Sequence, residues 1–469
     1  MNRAAVAVND VSTAQRRRAD APWQARIETS LIVIGFVFAF FVLRHSGIYG
    51  DGILRFQELG DLLEHGQFLN TKYSLVGPLF SAPLWLLGRV VETSVWWCER
   101  YNVLVLAAGM LGFYFILRPH LEGATIRRFM LIVLTASMFP NHLKWYYGEV
   151  FTAICVGVGL AAAVFGPTLG GWVAVVLGVA NTPATLVGLG CVALKRVVDT
   201  RRVLYVAAPV ATGLVIMGEN WLKRGNPLSF RYEAGFTYPW VFGVLSILFS
   251  FGEGLVFFAP GLLLWLRGRA AAMDGASKQL ISLYGLWIAY LVGMIAVYAG
   301  WYDWSGGWFW GPRFFLFASI PASLALALRL GARNRSLAAN LMTLGVLLLS
   351  CWVGLNGAIF GTTSLDAHFQ GFDCVLNGTW RDNLCYYAPE LSVLWQPFIV
   401  ASGVHWHWAA FKAVEQVGAR ELLWALYSLV VFAYLLVPLL RTIAYQLAEV
   451  ARDYWVSLRS TAALDAIGR

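Results

Sequence analysis

Asp51 stands between two glycines in GIYGDGILRF, directly after an apolar run. A carboxylate there suits two roles. At a helix start the free N–H groups and the dipole favour it as a cap; facing a substrate it can take a proton as a general base. Glu149, in HLKWYYGEVFTA, opens another apolar run and offers the same choice between first-turn residue and active-site carboxylate. Arg313 follows Gly-Pro in WFWGPRFF, where its planar fork can snorkel to an interface or bind a phosphate bidentately. Lys72 and Tyr73, in NTKYS, form a second phosphate-binding candidate, with Arg231 and Lys144 as further cations of that kind. Asp303 and Trp304 lie in WYDWSGGWFW, whose rings suit an interfacial belt or the lining of a sugar or prenyl site. His405 and His407 in VHWHW share a face only in a strand and have no evident third ligand, so they do not make a metal site.

The elements that must position these residues are membrane helices. The chain has 469 residues, is 59% hydrophobic and 13% charged, and has a mean hydropathy of +0.63. A soluble domain of this length carries roughly twice that charged fraction. Apolar runs of about 15–25 residues recur from end to end, the length a helix needs to cross a bilayer. The expectation is an all-α polytopic membrane protein with one transmembrane domain, 28–440, between cytoplasmic tails 1–27 and 441–469. The Arg-rich start lacks the apolar core of a cleavable signal. Cys98, Cys155, Cys191 and Cys351 read as small core residues, whereas Cys374 and Cys385 suit a loop disulfide in an oxidising compartment.

Arginine and lysine clusters set the orientation. With the N-terminus inside and a first span over 28–45, five basic clusters fall on the cytoplasmic side if 74–92 is a re-entrant or juxtamembrane helix. The pieces 172–181 and 183–194 then form a hairpin hinged at NTPA, and about ten crossings result. The net charge of +9 follows from this loop topology and does not imply nucleic acid. The segments left outside include a first loop, 46–73, and a late loop, 357–420. In the first loop Ile53, Leu54, Phe56, Leu59, Leu62 and Leu63 recur at helical spacing, with Arg55, Glu58, Asp61 and Glu64 on the other side. That pattern predicts an amphipathic helix lying in the interface, with Asp51 at its N-terminus.

Taken together, GDG with its helix, NTKYSLVGPLFSAPLWLLG, HLKWYYGEVFTA, WLKRGNPLSFRY, LFSFGEGLVFFAPGLLL and WYDWSGGWFWGPRFFLFASIPASLAL resemble the GT-C glycosyltransferases that use polyprenyl-phosphate sugars. Protein O-mannosyltransferases and the lipid A aminoarabinose transferase belong to that group. The resemblance covers most of 28–330 and says little beyond 335. One departure is visible: Glu253 stands between the glycines of SFGEGL, where the family pattern has a basic residue. The resemblance implies a GT-C-type bundle in a plasma membrane (the inner membrane of a bacterium), with the site on the extracytoplasmic face. It implies inverting transfer of a sugar from a polyprenyl-phosphate donor to a hydroxyl of a lipid, glycan or protein acceptor, with Asp51 as general base. Glu149 would assist it, and Lys72, Tyr73, Arg231, Asp303, Trp304 and Arg313 would bind substrate or phosphate. A divalent metal is compatible with such chemistry but is not indicated by any motif. The rival from another class is a transporter or flippase of lipid-linked sugars, since intramembrane charges and broken helices are transporter features too.

Overall fold

The computed structural model describes residues 22–229, 235–264, 266, 277–307, 309–332, 335–361, 384–387, 389, 392–402, 405–408 and 417–467. Arg231, Trp308 and Cys374 lie outside the described residues, as do the side chains of Cys385, His405 and His407. Helix dominates. The strands Ile399–Ser402 and His405–Trp408 pair antiparallel, with Val400 opposite His407.

Among the described residues seven helical segments are long and apolar enough to cross a membrane: Pro22–Phe41, Ser94–Leu117, Val203–Arg224, Lys278–Tyr298, Arg313–Gly331, Leu337–Phe360 and Ala419–Trp455. Three shorter apolar helices, Glu149–Phe165, Thr168–Asn181 and Trp240–Phe249, accompany them. The chain is a multi-pass membrane protein. Large apolar side chains such as Val33, Val37, Val210, Leu214 and Leu429 project outward from the spans, as surfaces in contact with lipid tails must.

The interior is built around the helices Gly123–Thr135 and Ser319–Gly331, nearly every residue of which is buried. Phe113, Phe129 and Trp287 meet edge to face there, at 5.4 and 6.0 Å between ring centroids. The Trp287 indole N–H donates to the Gly157 carbonyl at 3.2 Å, so the one polar atom of a fully buried ring is satisfied.

Several boundaries differ from the sequence reading. Among the described residues the first helix already includes Pro22, inside the expected tail, and WQARIET is a good helix-forming run. At the other end no break falls at 440: one helix runs Ala419–Ile467 through Pro438. The stretch 74–92 forms two short helices, Val76–Leu79 and Ala82–Leu87, neither of spanning length. The hinge at NTPA is present: Asn181 ends one helix, Pro183–Thr185 makes a single tight turn, and Leu186–Thr200 continues.

Candidate functional site

The first-loop helix runs Asp51–His65. Its cap is Gly50, at φ +56° and ψ −127°, a backbone conformation open to glycine alone. Asp51 is therefore the first helical residue and not the cap. Gly52 brings the helix against a neighbouring segment: a Cβ there would stand 2.8 Å from the Tyr146 carbonyl oxygen.

With its capping role removed, the Asp51 carboxylate turns inward. Tyr73 donates its hydroxyl to Oδ1 at 2.6 Å, and Arg313 Nη1 lies 3.0 Å from Oδ2. The Arg313 fork also approaches Glu149, with Nε 4.0 Å from Oε1. Its guanidinium is ringed by Tyr147, Phe309 and Phe314 at 5.2–5.8 Å. Two glycines of WSGGW make room for this. Gly306 and Gly307 both have positive φ, and a Cβ at Gly306 would sit 2.6 Å from Arg313 Cγ.

The helix faces differ from the amphipathic expectation. Arg55 and Glu58 are buried, whereas Ile53 and Leu54 are exposed. Positions 51, 55 and 58 fall on one helical face, and that charged stripe is the one the protein covers. Arg55 donates to the Ser74 carbonyl at 3.1 Å and to Asn181 Oδ1 at 3.2 Å. Asn181, read from sequence only as part of a hinge, also accepts from the Gly77 N–H and donates to the Gly148 carbonyl. It thus ties Arg55, the short helix Val76–Leu79 and the residue before Glu149 together.

These groups line a cavity of about 1130 Å³. Its polar wall carries Asp51, Arg55, Lys72, Tyr73, Glu149, Asp303 and Arg313. Leu186, Ile216, Met217, Phe236, Val297 and Phe314 supply an apolar wall. Three polar atoms of the charged group are buried without a hydrogen-bond partner: Arg55 Nε, Glu149 Oε2 and Arg313 Nε. Among the described residues no group of three or more His, Cys, Asp or Glu side chains is arranged to hold a metal ion.

Charge around the two aspartates is set differently. Burial pushes the Asp51 carboxyl up, but Arg313, the Tyr73 hydroxyl, Arg55 and Lys72 together outweigh it and hold it below the ordinary value. For Asp303 burial prevails over Arg313, the Gly307 N–H and the Ser305 hydroxyl, and its carboxyl is raised. Asp51 is thus the more acidic carboxyl of the two.

Of the sequence candidates, Asp51, Lys72, Tyr73, Glu149, Asp303 and Arg313 meet at this one cavity. Trp304 does not: it is 1% exposed and packs among the rings of Tyr238, Tyr386 and Tyr387. Lys144 is equally remote, buried and donating to the Ala358 carbonyl at 3.2 Å, with burial pulling its ammonium down to about 7. Glu253 is buried with Oε2 unpartnered, and burial, then Asp303, pushes its carboxyl well above the ordinary range. SFGEGL therefore offers no cation to a phosphate. Comparison of the chain with family models gave no match, and comparison with curated proteins gave none.

Sequence reasoning missed Arg55 and Asn181. The 51/55/58 spacing was the available signal for Arg55; for Asn181 the sequence held none, because its partners come from three distant segments.

Proposed function

We propose that the chain is a membrane glycosyltransferase of the GT-C type. It moves a sugar from a polyprenyl-phosphate donor to an acceptor hydroxyl on the extracytoplasmic face, with both termini in the cytoplasm. The three shorter apolar helices complete about ten crossings in this reading. The observation that carries it is the Asp51–Arg313 pair, an ionised carboxylate and a phosphate-binding fork 3.0 Å apart on the charged wall of a cavity whose other wall is apolar.

The reaction needs those parts and few others. The acceptor hydroxyl gives its proton to Asp51 as its oxygen bonds to the anomeric carbon. The bond from that carbon to the phosphate oxygen breaks on the opposite side, and the configuration inverts. A phosphate leaves without protonation, so no second acid is required. The charge that stays on it falls to Arg313 and Lys72, with Arg55 behind them. Positioned donors of this kind typically contribute about 10²–10³ in rate, and a positioned base roughly 10²–10⁴. Ile216, Met217 and Val297 form the surface along which the first prenyl units lie.

The test is direct. Purified protein is incubated with radiolabelled polyprenyl-phosphate sugars and a membrane extract, and label is followed into acceptor. Transfer with one of the donors is expected. Movement of labelled lipid across a vesicle bilayer without transfer would identify a transporter instead.

A further inference from the structure

Residues 70–75, which carry Lys72 and Tyr73, have no helix or strand of their own. Backbone without regular structure takes its position from whatever else bonds it. Here the bonds converge on the end of the helix Ala207–Arg224. Lys223, whose side chain is 1% exposed, lies 2.5 Å from Glu58 Oε1 and 2.8 Å from Glu219 Oε1, and donates to the Tyr73 carbonyl at 2.7 Å.

Each carboxylate then reaches the same segment. Glu219 accepts from Ser74 Oγ at 2.7 Å and from the Leu75 N–H at 2.6 Å; Glu58 accepts from Thr71 Oγ1 at 2.6 Å. Arg224 adds bonds to Asn70 Oδ1 and to the Thr71 carbonyl. Glu58 sits two turns beyond Asp51 on the same helical face. Tyr73 is therefore held by its carbonyl on Lys223 while its hydroxyl holds Asp51.

We infer that Lys223 is a positioning residue: by joining Glu58, Glu219 and the Tyr73 carbonyl it fixes segment 70–75 against the first-loop helix and so places the Tyr73 hydroxyl on Asp51. A buried ammonium between two carboxylates gives little net stability over apolar packing, and its distinctive contribution here is geometric. The inference rests on the sugar-transfer reading for its kinetic consequences, though not for its structural one.

The experiment uses the full chain in detergent micelles. Lys223→Met alone leaves Glu58 buried and unpaired, so Lys223→Met with Glu58→Gln is the working variant. Hydrogen exchange over 70–76, which includes the Leu75 N–H, is expected to accelerate in it while exchange in the spans holds. In the transfer assay its rate is expected to fall roughly 10–100-fold while the melting temperature stays near the wild-type value. Loss of the Tyr73 hydrogen bond also moves the acid limb of the rate profile to higher pH. Apart from Tyr73, the groups facing Asp51 are Arg313, Arg55, Lys72, Tyr147, Glu149 and Asp303; the variant substitutes none of them, and only Lys72 rides on the loosened segment. Added to Tyr73→Phe, it should move that limb further only by the smaller contribution of Lys72. Unchanged exchange over 70–76, a rate that falls only in step with a lowered melting temperature, or a full additional displacement in the Tyr73→Phe background would each overturn the inference. If the wild-type chain transfers no sugar, the sugar-transfer reading fails by itself and the exchange measurement alone decides Lys223.

Discussion

Two buried charge clusters sit in different parts of this molecule and are finished differently. In the helix Pro22–Phe41, Glu28 is fully buried, with Arg127 at 2.6 Å, Tyr434 at 2.6 Å and Arg128 at 3.7 Å. It joins three helices, and none of its carboxylate atoms lacks a partner. Around Asp51 the charges are more numerous, yet Arg55, Glu149 and Arg313 each keep an unpartnered atom and the group faces a cavity. A closed cluster holds helices together. An open one retains binding capacity, and its incomplete satisfaction is a cost that a ligand can offset.

The contrast can be broken in order of expected effect. Glu28→Ala removes the carboxylate that joins Arg127, Arg128 and Tyr434 across three helices, which should destabilise the fold by about 3–5 kcal/mol, read by thermal denaturation in detergent. Activity per folded molecule should hold. Arg313→Gln should do the reverse: transfer falls roughly 10²–10³-fold with little change in melting temperature, since that cluster contributes less to the fold. Equal destabilisation by the two variants would erase the distinction.

Tyr73→Phe is milder, about tenfold in rate for one hydrogen bond to a charged group. Its sharper reading is in pH. Asp51 must be ionised to take a proton, and its ionisation is held below the ordinary carboxylate value. Wild-type transfer should therefore persist as pH falls and be lost only through that depressed value. Removing the Tyr73 hydroxyl raises the Asp51 pKa, so the loss should come at higher pH. Smallest of all, Trp304→Phe should leave donor KM within about twofold, because the ring packs against tyrosines away from the cavity. A large rise in KM would put Trp304 back at the site.

The sequence was informative where a residue broke its local context. Asp51, Glu149 and Arg313 are charges at the ends of apolar runs, and their isolation marks them without knowledge of the fold. The first-loop helix was legible as a helix but not in its facing: the apolar residues pointed the reading outward for Arg55 and Glu58. Their true surroundings depend on Asn181, Lys223 and Ser74, which lie elsewhere in the chain. Lys223 itself reads as one more cation in WLKRGN: Glu219 stands one turn earlier on the same helix, but Glu58 and the Tyr73 carbonyl meet it only in three dimensions. Trp304 was grouped with its neighbours in WYDW, yet in that turn Trp301, Tyr302 and Asp303 line the cavity and Trp304 turns into the core. The puzzle of GDG resolves into separate tasks: Gly50 supplies the cap conformation, Gly52 the close approach, and Asp51 is freed from capping to face Arg313.

The central claim is that Asp51 takes the acceptor proton and does not serve to bind the donor. Asp51→Asn keeps the shape of the side chain and removes the base. Measured side by side in the same micelles, the variant should bind the polyprenyl-phosphate sugar with a Kd close to wild type while transferring it at least about 100-fold more slowly. Transfer by the Asn variant at the wild-type rate would contradict the assignment.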